Sequence, residues 1–141
     1  HAEFIRAHVN GEFYFLEVAA RVGGAFIADM LEHATGFNPW REWGRLEIAM
    51  LRGEPYEPPR IRDDYGGLLV TLARQAEPDL AAYNAQEVVW KADKPHHAVL
   101  VLRSPDAGRI ESLLGEYSER FVYDFSTSAP PMDASRTGQS G

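Results

Sequence analysis

Ala2-Glu3-Phe4-Ile5-Arg6-Ala7-His8-Val9-Asn10-Gly11-Glu12-Phe13-Tyr14-Phe15-Leu16-Glu17-Val18 opens the chain with two runs of β-forming residues on either side of an Asn-Gly pair. Asn-Gly between two such runs is a strong short-range signal for a hairpin. Residues 2–8 and 12–18 are therefore predicted to be paired strands around Val9-Asn10-Gly11. Register decides what the two acidic residues inside the strands can do. A three-residue loop with a glycine bulge sets Glu3 opposite Glu17, and Ile5/Phe15 and Ala7/Phe13 continue that face. A two-residue turn would send the glutamates to opposite faces. The three-residue form places glycine where positive φ is needed, and we favour it.

Outward from the hairpin, Gly23-Gly24 leads into Ala25–Ala34, where Phe26, Ile27, Met30 and Leu31 recur at helical spacing and Thr35-Gly36 supplies a stop. Asn38-Pro39 reads as an N-cap with proline at the first helical position. The helix it opens is expected to run to about Arg52, with Trp40, Trp43, Leu46, Met50 and Leu51 on its buried side. Pro55, Pro58 and Pro59 make an extended connection, and the boundary between a first part (1–53) and a second (54–125) is placed there. In the second part, Gly67–Ala73, Gln86–Lys91, His96–Leu102 and Glu119–Phe125 read as strands. A helix starting at Ser104-Pro105-Asp106 carries Ala107, Ile110, Leu113, Leu114 and Tyr117 on one face. Residues 126–141 are rich in Ser, Pro and Gly and are expected to be a disordered tail. The fold class is α+β.

Composition removes several function classes. A net charge of -7 without a Lys/Arg cluster argues against an extended nucleic-acid surface. The absence of cysteine excludes disulfide scaffolds and thiolate zinc sites. No apolar stretch is long enough to span a membrane. The expectation is a cytoplasmic protein with neither nucleic-acid nor membrane partners. The start at His1, without an initiator Met, leads us to expect that an N-terminal part is missing.

Glu3 and Glu17 each lie among apolar neighbours, and a carboxylate in a half-buried strand is costly unless something offsets its charge. If they face each other, they repel unless one is protonated or a cation lies between them. Magnesium typically uses one or two carboxylates and completes its shell with waters and substrate phosphates. Arg21, four residues after Glu17, offers a planar fork for phosphate or carboxylate. Gly23-Gly24 before a helix lets backbone N–H groups approach an anion. From the residues alone two readings stand: a metal and phosphate site, or an exposed ion pair with Arg21 as partner.

The same residues resemble a known family. His1-Ala2-Glu3-Phe4-Ile5, followed by Asn10-Gly11-Glu12-Phe13-Tyr14-Phe15-Leu16-Glu17-Val18-Ala19-Ala20-Arg21-Val22-Gly23-Gly24, is similar to the C-terminal half of an ATP-grasp domain. The branch is that of biotin carboxylase, carbamoyl phosphate synthase and amino-acid ligases. The likeness is good over residues 1–36, weaker through Gly53-Glu54-Pro55, and low in specificity beyond about residue 60. It implies the C-terminal half of an ATP-grasp fold, an antiparallel hairpin with helices, plus a small α+β C-terminal appendage. It also implies that Glu3 and Glu17 bind Mg²⁺ (or Mn²⁺) of Mg-ATP and that Arg21 contacts the transferred phosphate as the catalytic residue. Gly23 and Gly24 would then lie on the phosphate side. The implied reaction activates a small-molecule carboxylate as an acyl phosphate, which an amine or similar nucleophile displaces. Two departures matter. Ala19 stands where the family commonly has Asn, a third metal ligand, and the N-terminal half that holds ATP is absent from these residues.

The competing reading is a non-catalytic binding or assembly module that keeps the half-fold without nucleotide turnover. A third is an α+β domain whose hairpin charges carry no chemistry. His96-His97 points to opposite faces of a strand and lacks a third ligand at sensible spacing, so a structural role is expected. His8 is expected to be solvated beside the turn, and His1 to lie near Glu3. Trp40, Trp43 and Trp90 read as core or rim packing. The arginines and glutamates interleaved between Arg41 and Arg62 read as a solvated, salt-bridged face.

Overall fold

The computed structural model describes residues 1–126. Its elements are β1 (Ala2–Arg6), β2 (Phe13–Val18), α1 (Ile27–Thr35), α2 (Pro39–Arg52), β3 (Tyr65–Leu72), β4 (Val88–Lys91), β5 (His97–Ser104) and α3 (Ala107–Asp124). The architecture is α+β, with a two-stranded antiparallel hairpin and a separate antiparallel sheet of order β3-β5-β4.

Strand β5 is the centre of the larger sheet. His97-Ala98-Val99-Leu100-Val101-Leu102 is almost wholly apolar, and Ala98 through Leu102 are completely buried. A strand buried on both faces needs a layer on each side, and two glycines of β3 show what those layers are. A Cβ on Gly66 would meet Ala34 and Met30 of α1 at 3.0–3.1 Å, whereas one on the adjacent Gly67 would meet Ile110 of α3 at 3.0 Å. Successive strand residues point to opposite faces, so α1 and α3 sandwich the sheet. On the α3 side, Ala98, Leu100 and Leu102 join Ile110, Leu113, Tyr117, Phe121 and Phe125 around Tyr83. On the α1 side, Trp90 of β4 stacks on His33 of α1 with ring centroids 5.7 Å apart.

Glu119–Phe125 is expected to be a strand, but Glu119–Asp124 belongs to α3 and Phe125 is its C-cap. The segment's β-forming composition is overridden because Tyr117, Phe121 and Phe125 extend the helical stripe begun by Ile110 and Leu113. Each of those three rings meets Tyr83 within 5.8 Å. Asp106 caps the helix by accepting from Gly108 N–H at 2.9 Å. Ser126 bridges to Ala73; the rest of the expected tail, residues 127–141, lies outside the described residues.

Asn38 caps α2 as expected, its side chain accepting from the N–H groups of Trp40 and Arg41, both at 3.0 Å. The expected buried side of that helix is wrong. Trp40, Trp43, Leu46, Met50 and Leu51 are all exposed, Leu51 to 87%, and the buried residues are Glu42 and Ala49. The reason is local. Glu42 receives Arg41 Nε at 3.2 Å, Arg45 Nη1 at 3.0 Å and the Tyr56 hydroxyl at 3.0 Å, which holds the proline-rich connection against this face. No helix among the described residues is long and apolar enough to cross a membrane.

Candidate functional site

The hairpin loop differs from the expected one. Ala7 N–H donates to Glu12 O at 2.9 Å and Gly11 N–H to Ala7 O at 2.9 Å, so His8-Val9-Asn10-Gly11 forms a four-residue loop with Gly11 at φ 73°. That loop would misalign the glutamates if the strands ran regularly to their bases. They do not: Phe4 pairs with Phe15, but Glu3 pairs with Glu17, leaving Leu16 as an extra residue on β2. The bulge restores the facing glutamates and reassigns the residues above them. Ile5 lies opposite Tyr14 rather than Phe15, and Phe13 opposite Arg6 rather than Ala7. Phe4 and Phe15 meet edge to face at 5.8 Å on the other side of the hairpin.

Arg21 closes the base. Its Nη2 is 3.8 Å from Glu3 Oε1 and 3.7 Å from Glu17 Oε1, and His1 Nε2 contacts Glu3 Oε1 at 2.7 Å. Glu3, Glu17 and Arg21 are 40%, 55% and 46% exposed, so these ion pairs form in high dielectric, where such pairs are worth about 0–1 kcal/mol. Among the described residues, neither the second oxygen of Glu3 nor that of Glu17 has a hydrogen-bond partner. The three residues singled out in the sequence are thus brought together, with two carboxylate oxygens left facing outward.

Gly23 and Gly24 flank the cluster. A Cβ on Gly23 would come within 3.1 Å of Ile27 and 3.2 Å of His1, so a side chain there would crowd both. The helix does not start at Ala25 as expected. Gly24-Ala25-Phe26 forms a turn, closed by Ile27 N–H donating to Gly24 O at 3.0 Å, with Ala25 and Phe26 left-handed at φ 50° and 67°. Non-glycine residues reach that region only against steric cost.

Two open clefts share Arg21 as a wall. One, of about 450 Å³, is lined by His1, Glu3, Arg21, Gly24, Ala25 and Ile27. The other, of about 470 Å³, is lined by Ala20, Arg21, Val22, Trp43 and Glu47. Glu47 was read in the sequence only as one charge of a solvated face. Its i,i+4 spacing from Trp43 was the available signal, since residues so spaced meet on one helix face. Trp43 Nε1 donates to Glu47 Oε1 at 2.9 Å.

His96 and His97 are not brought together as ligands. His96 Nδ1 lies 3.3 Å from Ala73 O and His97 Nδ1 2.8 Å from Pro95 O. Among the described residues, no group of three or more His, Asp or Glu side chains is placed to hold a metal ion. Comparison with protein-family models, curated proteins and solved structures found no match.

Proposed function

We propose that Glu3, Glu17 and Arg21 form the metal- and phosphate-handling wall of an ATP-dependent carboxylate–amine ligase of the ATP-grasp kind, completed by residues outside these 141. The observation that carries this reading is the bulged register. It spends an irregularity in β2 to set Glu3 opposite Glu17 with one guanidinium within 3.8 Å of both. Bulges recur where a side chain must be re-aimed for function.

The donor set suits Mg²⁺ bound to a nucleotide better than a protein-enclosed ion. Two outward-facing carboxylates supply part of an octahedral shell, and waters and phosphate oxygens would supply the rest. Mg-ATP, when bound, would provide the transferable phosphoryl group and the cationic charge that offsets its developing negative charge. The chain's own contribution is position. Arg21 would leave its carboxylate partners for a phosphate oxygen, a stronger bidentate acceptor. Attack of a substrate carboxylate oxygen on the γ-phosphorus releases ADP, and an amine then displaces phosphate from the acyl phosphate.

A second reading, a binding or assembly module without turnover, draws on Ala19 at the position of a third ligand and on an Arg21 that already offsets both carboxylates. Calorimetric titration of Mg-ATP into the complete polypeptide separates the two. The ligase reading expects nucleotide binding that requires the metal and is lost in Glu17→Gln while the fold persists. Equal binding by the variant would remove the metal assignment.

A further inference from the structure

Glu47 is an oddly placed charge. Its carboxylate takes one hydrogen bond, from the indole of Trp43, and has no cationic partner within 4.0 Å among the described residues. Its neighbours on the same helix are paired differently: Glu42 binds Arg41 and Arg45. Arg21 lines the same cleft, but its guanidinium is drawn toward Glu3 and Glu17 on the hairpin side. The cleft therefore holds one carboxylate, Glu47, with its one arginine engaged elsewhere, and it presents an indole 39% exposed. Trp40 stacks against Trp43 with centroids 6.0 Å apart and planes within 11°, which fixes that indole's orientation.

An unpaired carboxylate beside an ordered indole is the chemistry that recognises an organic ammonium. The carboxylate accepts its N–H groups, and the negative ring face attracts its charge. We infer that the Trp43–Glu47 cleft binds the alkylammonium group of a substrate, with Glu47 as its charge partner and Trp43 as its aromatic wall. Calling that substrate the amine partner of the ligase rests on the function proposed above; the binding itself does not. Arg21 then separates a nucleotide side from an amine side, each with its own cleft.

The test uses the chain without metal or nucleotide. n-Butylammonium at neutral pH is the probe and 1-butanol its uncharged counterpart. The readout is the indole Nε1–H resonance of Trp43, assigned by single Trp→Phe substitutions and sensitive because that N–H is bonded to Glu47. A saturable shift with butylammonium, absent with butanol, is expected. Glu47→Gln, on an exposed helix face, should weaken the binding about tenfold while leaving the remaining amide spectrum unchanged. Equal shifts with butanol, undiminished binding by Glu47→Gln, or no saturable shift with butylammonium would each overturn the inference. Because the probe is read with neither metal nor nucleotide present, failure of the metal assignment and failure of this site are read separately.

Discussion

The Tyr83 hydroxyl donates to Asp124 Oδ2 at 2.7 Å, tying the segment between β3 and β4 to the last turn of α3. Around it, Tyr117 and Phe121 meet the Tyr83 ring nearly perpendicular at 5.1 and 5.0 Å, and Arg120 lies over it at 4.4 Å. Tyr83→Phe should cost about 0.5–1.5 kcal/mol, the net worth of one hydrogen bond. Tyr83→Ala should cost about 3–5 kcal/mol, because it also leaves a cavity. Urea denaturation checks both, and equal losses would place the hydroxyl rather than the ring at the centre of this core.

Burial, followed by the bond to Asp124, pushes the Tyr83 phenol well above its ordinary value of 10. A group raised on folding contributes stability that is complete below its unfolded value and is lost as pH rises through the folded one. Tm should therefore hold up to about pH 10 and fall beyond it. Tyr83→Phe should flatten that alkaline limb. Some slope should remain from Tyr56, which burial and Glu42 also raise.

The acid limb has the opposite sign. Burial pushes the Glu42 carboxyl up, but hydrogen bonds from Arg41, Tyr56 and Arg45 outweigh it and hold the group below the ordinary 4.5. The Asn38 amide lowers Glu32, and Arg109, at 2.7 Å, lowers Glu87. Depressed carboxylates stabilise above the ordinary value, and that contribution is lost as pH falls through the folded one. Thermal melts from neutrality downward should show Tm falling below pH 4.5. Glu42→Gln should melt lower at neutral pH and lose less on acidification; an unchanged acid slope would remove Glu42 from this account.

The two sides of the sheet can be probed separately through β3. Gly67→Ala drives a methyl to 3.0 Å from Ile110 and 3.3 Å from Leu102, both buried and poorly able to yield. The cost expected is about 1–3 kcal/mol. Gly66→Ala drives a methyl to 3.0 Å from Ala34 Cβ, which is tied directly to the α1 backbone, and 3.1 Å from Met30 Cγ, so it should cost a similar amount. A much smaller cost at Gly66 would mean that α1 gives way more readily than α3.

Arg21→Ala should barely change stability, by about 1 kcal/mol or less, because its partners are exposed. Combining it with Glu17→Gln should recover part of that small loss by relieving repulsion between facing carboxylates. A double-mutant cycle on urea midpoints reads this directly. Phosphate handling is more demanding: Arg21→Lys should keep the stability and weaken Mg-ATP binding, since an ammonium lacks the planar fork.

What could be read from the chain divides along the range of the forces involved. Capping by Asn38, the stop at Gly36, the Asp106 start of α3 and the apolar run of β5 all depend on neighbours in sequence, and each appears where expected. The pairing of Glu3 with Glu17 was also legible, although through a different loop. Phe121 and Phe125 read as strand residues because the partner that holds them at the end of α3, Tyr83, is about forty residues away. The exposed side of α2 was misread for a similar reason. Tyr56 and two arginines make a glutamate the buried residue, and hydrophobicity alone would choose the tryptophans.

The extra residue at Leu16 has a consequence for how this hairpin tolerates change. Below it the ionic pair occupies one side; above it the Phe4–Phe15 ring pair and the Arg6 guanidinium over the Phe13 ring occupy the other. The irregularity adds a fixed offset of one residue between the alignment of the tip and that of the base. Deleting Leu16 alone should therefore straighten β2 and leave Glu17 opposite Glu3, since Phe15 still pairs with Phe4, whereas a change in the His8–Gly11 loop that slipped the tip by one residue would carry the base with it and part the two carboxylates.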